Sequence, residues 1–414
     1  MRWLGRATAA LVAVVVLTLP VQAQTSATPG DSLEVALLTF GPGEAAWEKF
    51  GHNAIVIVDR ATGQAKAYDY GRFDFRQENF ILRFVQGRMW YAMGSGRAQR
   101  YLDVYTRADR SVWVQELAMT PVQRAALRDF LEWNDTDEHR DYHYDYYLDN
   151  CSTRVRDALD RVLGGAIAAQ FDTLVTTASF RWHTARLTSG DPLLYTGLML
   201  GLGHPTDRRI TAWEEMFLPV QLMEHLRAVT VPDSMGRPVP LVRVEQQVHR
   251  SSRYAEPEAP RRLVLPFLVV GVLLGLLLWR TGRSASRAGQ LLFAALGSVW
   301  SVVAGLGGVV LLGLWLLTDH VAAHENASVL LLSPLSLALV VLLPLAVRGR
   351  AGAGRAALGS AMLVAALAAL ALVTLGWPAL RQPNPELIAL ILPLHAGLLA
   401  GVAALVRASV PNRA

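Results

Sequence analysis

The sequence predicts an α+β domain joined to a five-helix bundle that spans a membrane. Three observations carry this. Residues 25 to about 260 mix charges, aromatics and turn residues and alternate between strand-like and helix-like patterns. After Arg262 the composition changes and five long apolar stretches follow. Cys151, the only cysteine in 414 residues, stands between a tyrosine-rich run and a strong helix signal.

Taken in order, residues 1–24 read as a secretory signal peptide. Arg2 and Arg6 form a basic start, Ala7 to Leu19 is apolar, and Val21-Gln22-Ala23 suits a signal peptidase. Export places the next part in an oxidising space, where a lone cysteine has no internal partner and is either buried and inert or reactive. Leu33 to Phe40 reads as a strand and Gly43 to Phe50 as a short helix. Ala54 to Val58 is a β-branched apolar run, the mark of a strand buried on both faces. Thr62-Gly63 is a turn and Lys66 to Tyr70 the partner strand. Glu78 to Gln86 is helical. Trp90–Met93 and Val112–Leu117 are further strands. Thr120-Pro121 starts a helix, N-cap then proline at N1, that runs to about Trp133. Tyr142 to Tyr147 is a strand, following the solvated acidic loop Asn134–Arg140.

The helix after Cys151 has the clearest pattern. Val155, Ala158, Leu159 and Val162 make one apolar face, Asn150 is the N-cap and Gly164-Gly165 the stop. A thiol at the first turn meets unpaired backbone N–H groups and the positive end of the helix dipole, which favour thiolate. Residues 25–165 thus form a core of about 140 residues, and 166–260 an extension and linker. Within the extension, Leu193 to Leu202 is too short to span a bilayer and reads as a core helix, Ala212 to Leu226 is helical, and Pro257–Pro260 is a linker.

Residues 261–414 hold the membrane domain: Leu263–Trp279, Leu291–Leu317, Val329–Val347, Ala356–Trp377 and Leu387–Val406. Arg280, Arg283, Arg287, Arg348, Arg350, Arg355, Arg407 and Arg413 fall on one side. Arg381, Asp319, Glu325 and Glu386 fall on the other. The positive-inside rule puts the C-terminus in the cytoplasm and the 25–260 domain across the membrane, as the signal peptide also requires. The net charge of +5 comes largely from arginines flanking the helices. No zinc-finger, helix-turn-helix, P-loop or dinucleotide pattern is present, so no nucleic-acid partner is expected. Gly305, Gly307 and Gly308 lie inside a span and read as a close helix packing site.

Cysteine catalysis needs a base for the thiol proton and a group that orients the base. His52, at the mouth of the buried strand, is the first choice of base, and His143 the second. Asp69, on the partner strand, could fix the His52 tautomer. His183, His204, His225 and His249 read as structural and His139 as solvated. His320 and His324 have a spacing that can bind zinc, but with no further ligand set they read as a polar cap. His395, inside the last span, reads as a packing residue.

Histidine first, a polar orienter next and a helix-opening cysteine last is the order seen in circularly permuted papain-like enzymes. Asp149-Asn150-Cys151-Ser152-Thr153-Arg154 resembles the Asn-Cys helix start of the lecithin–retinol acyltransferase relatives. Together with Phe50-Gly51-His52-Asn53 and Tyr68-Asp69-Tyr70-Gly71-Arg72-Phe73, it resembles the Lnb-type periplasmic domain. That family joins such a domain to a C-terminal membrane bundle. The resemblance implies a bacterial inner-membrane lipoprotein N-acyltransferase that needs no cofactor and no metal. Cys151 would take an acyl chain from a phospholipid donor as a thioester and pass it to the α-amine of a diacylglyceryl lipoprotein acceptor. His52 would be the base and Asp69 the orienter. Asn53, Tyr147 and Asn150 are candidates for substrate or oxyanion contacts, beside the Cys151 N–H. Two alternatives stand beside it: a membrane-anchored cysteine amidase or peptidase acting on peptidoglycan or peptides, which would use the same residues, and a non-enzymatic sensor or assembly protein with a degenerate papain-like domain and an inert thiol.

Overall fold

The computed structural model describes residues 28–74, 76–377 and 381–408. The signal-peptide reading, residues 1–24, and Arg413 lie outside the described residues. The architecture is the expected one, a sheet-rich α+β domain followed by five apolar helical spans.

Six strands come early: β1 (Leu33–Phe40), β2 (His52–Asp59), β3 (Gln64–Arg72), β4 (Trp90–Arg97), β5 (Val112–Leu117) and β6 (Asp141–His143). A seventh, β7 (Val242–His249), completes an antiparallel sheet in the order β7-β5-β1-β2-β3-β4-β6. The sheet therefore takes an edge strand from the stretch that the sequence reads as extension. Three helices, α1 (Phe80–Gln86), α2 (Ala98–Arg107) and α3 (Pro121–Asn134), interrupt the strands, and α4 (Cys151–Val162) follows them.

Alternating side chains divide the packing between the two faces. On one face Val35, Leu37, Ile55, Ile57, Tyr68 and Tyr70 meet Leu127 and Leu131 of α3 and Val155 and Leu159 of α4. On the other face Leu38, Phe40, Ala54 and Val56 meet Ala98 and Tyr101 of α2. Strand β2 is thus covered on both sides, as its apolar run requires.

The tyrosine-rich run is a correction. Only Asp141–His143 is strand. The Asp145 carboxylate then accepts from the Tyr147 and Leu148 amides at 2.8 and 2.9 Å, bending the chain into a turn before Cys151. Ala212–Leu226 is likewise two short helices, Ala212–Glu215 and Pro219–Leu226, because Pro219 starts a new helix.

The extension continues through α5 (Phe180–Thr188), α6 (Pro192–Gly201) and α7 (Pro219–Leu226). Tyr195 and Met199 of α6 join Phe267, Leu387 and Ile388 in one buried cluster, so this helix rests on the bundle. Buried Arg181 pairs with Asp207 at 2.5 Å and donates to Asn384 Oδ1 at 3.1 Å.

The bundle opens with α8 (Val264–Gly282) and α9 (Arg287–Leu317). The third span is broken into α10 (Ser328–Leu331) and α11 (Leu337–Val347). Ser333-Pro334 interrupts it, and the Leu331 carbonyl accepts instead from His395 Nε2 at 2.9 Å. His395 is thus a packing residue that satisfies a broken ladder. A Cβ on Gly308 would sit 2.0 Å from the Leu332 carbonyl oxygen, so the glycine run admits this break. After α12 (Ala353–Leu370), helix α13 (Pro385–Ala408) packs along α8 through glycines 271, 275 and 282 on one helix and 397 and 401 on the other. A Cβ on Gly397 would lie 2.1 Å from the Gly275 carbonyl oxygen. Gly397→Leu is expected to lower stability by about 3 kcal/mol, read as a lower midpoint of thermal unfolding in detergent.

Candidate active site

Cys151 is the first residue of α4, and the Asn150 side chain caps that helix. Asn150 Oδ1 accepts from the Ser152 and Thr153 amides at 2.8 and 3.0 Å, and Thr153 Oγ1 accepts from the Asn150 N–H at 2.7 Å. The Asn150 side-chain nitrogen donates to the Tyr146 and Phe217 carbonyls at 2.9 and 3.0 Å. Cys151 is half-buried.

His52 opens β2, and its ring lies close to the Cys151 thiol. Its Nε2 lies 3.0 Å from Asp69 Oδ2, so Nδ1 is the ring nitrogen outside that bond. The strand register accounts for this pairing. Ala54 sits opposite Asp69, so His52, two residues earlier, shares the Asp69 face of the sheet. A register shift between Asp69 and Arg72 marks a bulge that carries Gly71 up to the cysteine. Gly71 has φ +91°, and a Cβ there would stand 3.2 Å from the Cys151 Cβ.

Asp69 is buried and fully committed. Besides His52 it accepts from Arg72 Nε and Nη2 at 2.9 and 2.7 Å and from the Tyr101 hydroxyl at 2.6 Å. Burial pushes its carboxyl up, but His52 and Arg72 outweigh that and hold it below the usual carboxylate range. Burial likewise disfavours a charged His52. The acidic neighbours Tyr105 and Cys151 and the hydrogen bonds with Asp69 and Cys151 prevail, and raise its pKa well above the ordinary value.

The other residues singled out by sequence lie differently. Asn53 is buried on the opposite face of β2. Its side-chain nitrogen donates to Thr39 Oγ1 at 2.9 Å, and its Oδ1 accepts from Ser152 Oγ at 2.9 Å. It anchors the start of α4 to the sheet. The Tyr147 hydroxyl meets Thr184 Oγ1 at 2.9 Å within an aromatic cluster of Phe180 and Phe217. The donors of Asn53 and Asn150 are therefore occupied, and Tyr147 is engaged with the extension. His143 is exposed, with its ring 4.0 Å from that of Trp90. His183 and His225 share Glu215 at 2.9 and 2.8 Å, His204 meets the Arg381 carbonyl at 3.1 Å, and His249 meets Asp109 at 3.2 Å. His320 Nε2 donates to the Phe84 carbonyl at 2.8 Å, and His324 Nε2 to the Thr318 carbonyl at 2.9 Å. The 318–326 loop is thus a polar cap on the domain. Among the described residues, no group of three or more His, Cys, Asp or Glu could hold a metal ion.

Sequence reasoning does not single out Tyr142 as a site residue. Its hydroxyl is buried without an acceptor for its proton, while the Gly71 N–H approaches its oxygen. Burial, then the nearby Cys151 and Asp149, push its pKa well up, so it stays an O–H donor at neutral pH. The Arg154 guanidinium lies 4.2 Å over its ring and pairs with Asp149 at 2.6 Å. The tyrosine run is plain in the sequence, but the turn after His143 hides that both Tyr142 and Tyr144 come close to the cysteine.

No curated protein and no solved structure gives a significant match to this chain. The family model described as the Lnb N-terminal periplasmic domain matches residues 21–187, and that of the Lnb transmembrane domain matches residues 258–407. With both halves matched in order, and five apolar spans behind a sheet-rich domain, the chain belongs to the Lnb family and is a multi-pass inner-membrane protein with a periplasmic domain.

Proposed function

We propose that this chain is a cysteine acyltransferase that moves an acyl chain from a phospholipid to the α-amine of a diacylglyceryl lipoprotein. One observation carries the reading: a helix-opening thiol close to an Asp-oriented imidazole, in a domain packed onto a membrane bundle. We place the C-terminus in the cytoplasm, because Arg283, Arg348 and Arg407 lie at the helix ends away from the 318–326 cap.

In the first half-reaction His52 takes the thiol proton, and the sulfur attacks the ester carbonyl of the donor. A C–S bond forms, the C–O bond to glycerol breaks, and the His52 imidazolium returns its proton to the leaving alkoxide. In the second, the lipoprotein amine attacks the thioester. A C–N bond forms, the C–S bond breaks, His52 accepts the ammonium proton and the sulfur leaves as thiolate. Asp69 holds the His52 tautomer and balances the imidazolium charge. The Cys151 N–H and the Tyr142 hydroxyl are the donors this reading assigns to the oxyanion, in place of Asn53, Tyr147 and Asn150. Tyr142→Phe is expected to lower kcat about 10²-fold with little change in KM, measured as single-turnover acyl transfer.

The reading is tested by intact-mass analysis of the enzyme mixed with phospholipid. An acyl adduct that hydroxylamine removes is the expected result. Cleavage of peptide amides with phospholipid untouched would move the assignment to an amidase.

A further inference from the structure

Helix α1 exposes apolar side chains that no described residue covers. Ile81 is 76% exposed, Leu82 56% and Val85 53%. Ile81 and Val85 are one turn apart, so with Leu82 they form a single stripe. Phe80 and Phe84 make the neighbouring stripe on the same short helix. A water-facing helix of this composition is unfavourable unless something apolar receives it.

The bundle shows what lies beside it. Helix α9 has 31 residues, so it is about 46 Å long. The hydrocarbon core of a bilayer is about 30 Å thick. Its last residues, Leu316 and Leu317, are 67% and 82% exposed, and α1 packs against this end. The join is close. The Asp319 N–H donates to the Gln86 carbonyl at 2.8 Å, and Arg88 pairs with Asp319 at 2.6 Å. A Cβ on Gly87 would lie 2.7 Å from the His320 backbone nitrogen. The exposed stripe of α1 therefore adjoins the exposed apolar end of α9.

Behind the stripe, aromatic rings lead inward. Phe84 lies 6.4 Å from His320, His320 is stacked 5.9 Å from Tyr146, and Tyr146 is 5.9 Å from Tyr144. Tyr144 stacks on Tyr91 at 4.1 Å and packs with Cys151 against the same core.

We propose that α1 is embedded in the periplasmic leaflet, where Ile81, Leu82 and Val85 meet lipid acyl chains, and that it forms the entrance through which a chain reaches Cys151. The entrance role rests on the acyltransferase reading; the embedding does not. An interfacial helix is held chiefly by apolar burial, with cations near the headgroup phosphates, and Arg83 lies on this helix.

The test uses full-length Cys151→Ala protein in vesicles of phosphatidylethanolamine and phosphatidylglycerol. A cysteine introduced as Ile81→Cys carries an environment-sensitive NBD label. Thr62→Cys, in the turn after β2, is the control. Nitroxide-bearing acyl chains should quench the label at position 81 at least about fivefold more than at 62. Equal quenching, or a blue shift at 81 without quenching, overturns the proposal, the latter because protein then covers the helix. In the Cys151 enzyme, Ile81→Asp with Leu82→Asp should slow acyl-enzyme formation from vesicles about tenfold. Alkylation of Cys151 by water-soluble iodoacetamide should stay unchanged. Equal loss in both reactions would count the helix as structural and overturn the entrance. Quenching at 81 with no acyl adduct in any variant would sink the acyltransferase reading and leave the embedding standing.

Discussion

Cys151→Ala is expected to abolish N-acylation in a strain that depends on this chain, leaving lipoproteins as diacylglyceryl forms with a free α-amine. The sulfur is the only protein group in the proposed mechanism that bonds to the acyl carbon. Its loss should lower the rate about 10⁴-fold or more. Mass spectrometry of lipoprotein N-termini gives the measurement, and unchanged triacylation would defeat the mechanism. Folding should be little affected, because the Asn150 cap and the Asn53–Ser152 anchor do not use the sulfur. Unfolding temperature in detergent checks that. Cys151→Ser is the complementary variant, since an oxygen ester formed there should persist long enough to be weighed.

The second large effect concerns the relay. His52→Gln is expected to reduce acyl transfer about 10³-fold, the middle of the range for a general acid–base. Asp69→Asn should act through pH as well as rate. In the native protein the Asp69 carboxylate helps to hold the His52 pKa up. The protonated imidazole is needed by the leaving alkoxide, so activity falls as pH rises through the His52 pKa. Without the carboxylate that pKa drops, and the alkaline limb of the profile moves to lower pH. A profile displaced to higher pH, or not displaced, would mean that Asp69 serves only the fold. The same linkage affects stability. A raised His52 pKa contributes stability below its unfolded value of about 6.5, and this is lost as pH rises through the folded value.

Most of the geometry around Cys151 is legible in the sequence because local rules place it. An asparagine cap and a period-3.6 apolar face set Cys151 at a helix start, and those rules need no knowledge of distant contacts. β1 and α4 have the bounds their patterns imply. The His52–Asp69 pairing also follows, since a short turn joins adjacent antiparallel strands. What escapes depends on side chains competing with the backbone or on pairing far along the chain. The Asp145 turn cuts the tyrosine strand short and takes Tyr144, Tyr146 and Tyr147 out of strand alternation, and the pairing of Tyr142 with Tyr91 of β4 is set about fifty residues away. Strand β7 is largely exposed, so it lacks the apolar alternation that marks a strand; only its partner β5, over a hundred residues earlier, makes it one. Helix α2 is a different case: Ala98, Tyr101, Leu102 and Tyr105 fall at i, i+3, i+4 and i+7 and pack on the sheet, so its helical pattern is present in the sequence although it is not among the elements named from it. The glycine seam between α8 and α13 is hidden because its two halves lie at opposite ends of the membrane domain.

The cluster that joins Tyr195 and Met199 of the extension to Phe267 and Ile388 of the bundle has a practical corollary. Cutting the chain near residue 260 would strip those side chains of their cover and leave Arg181 without the Asn384 oxygen. An excised soluble half should therefore be prone to aggregation, and a detergent that loosens the helices should register at the sulfur, more than a hundred residues upstream.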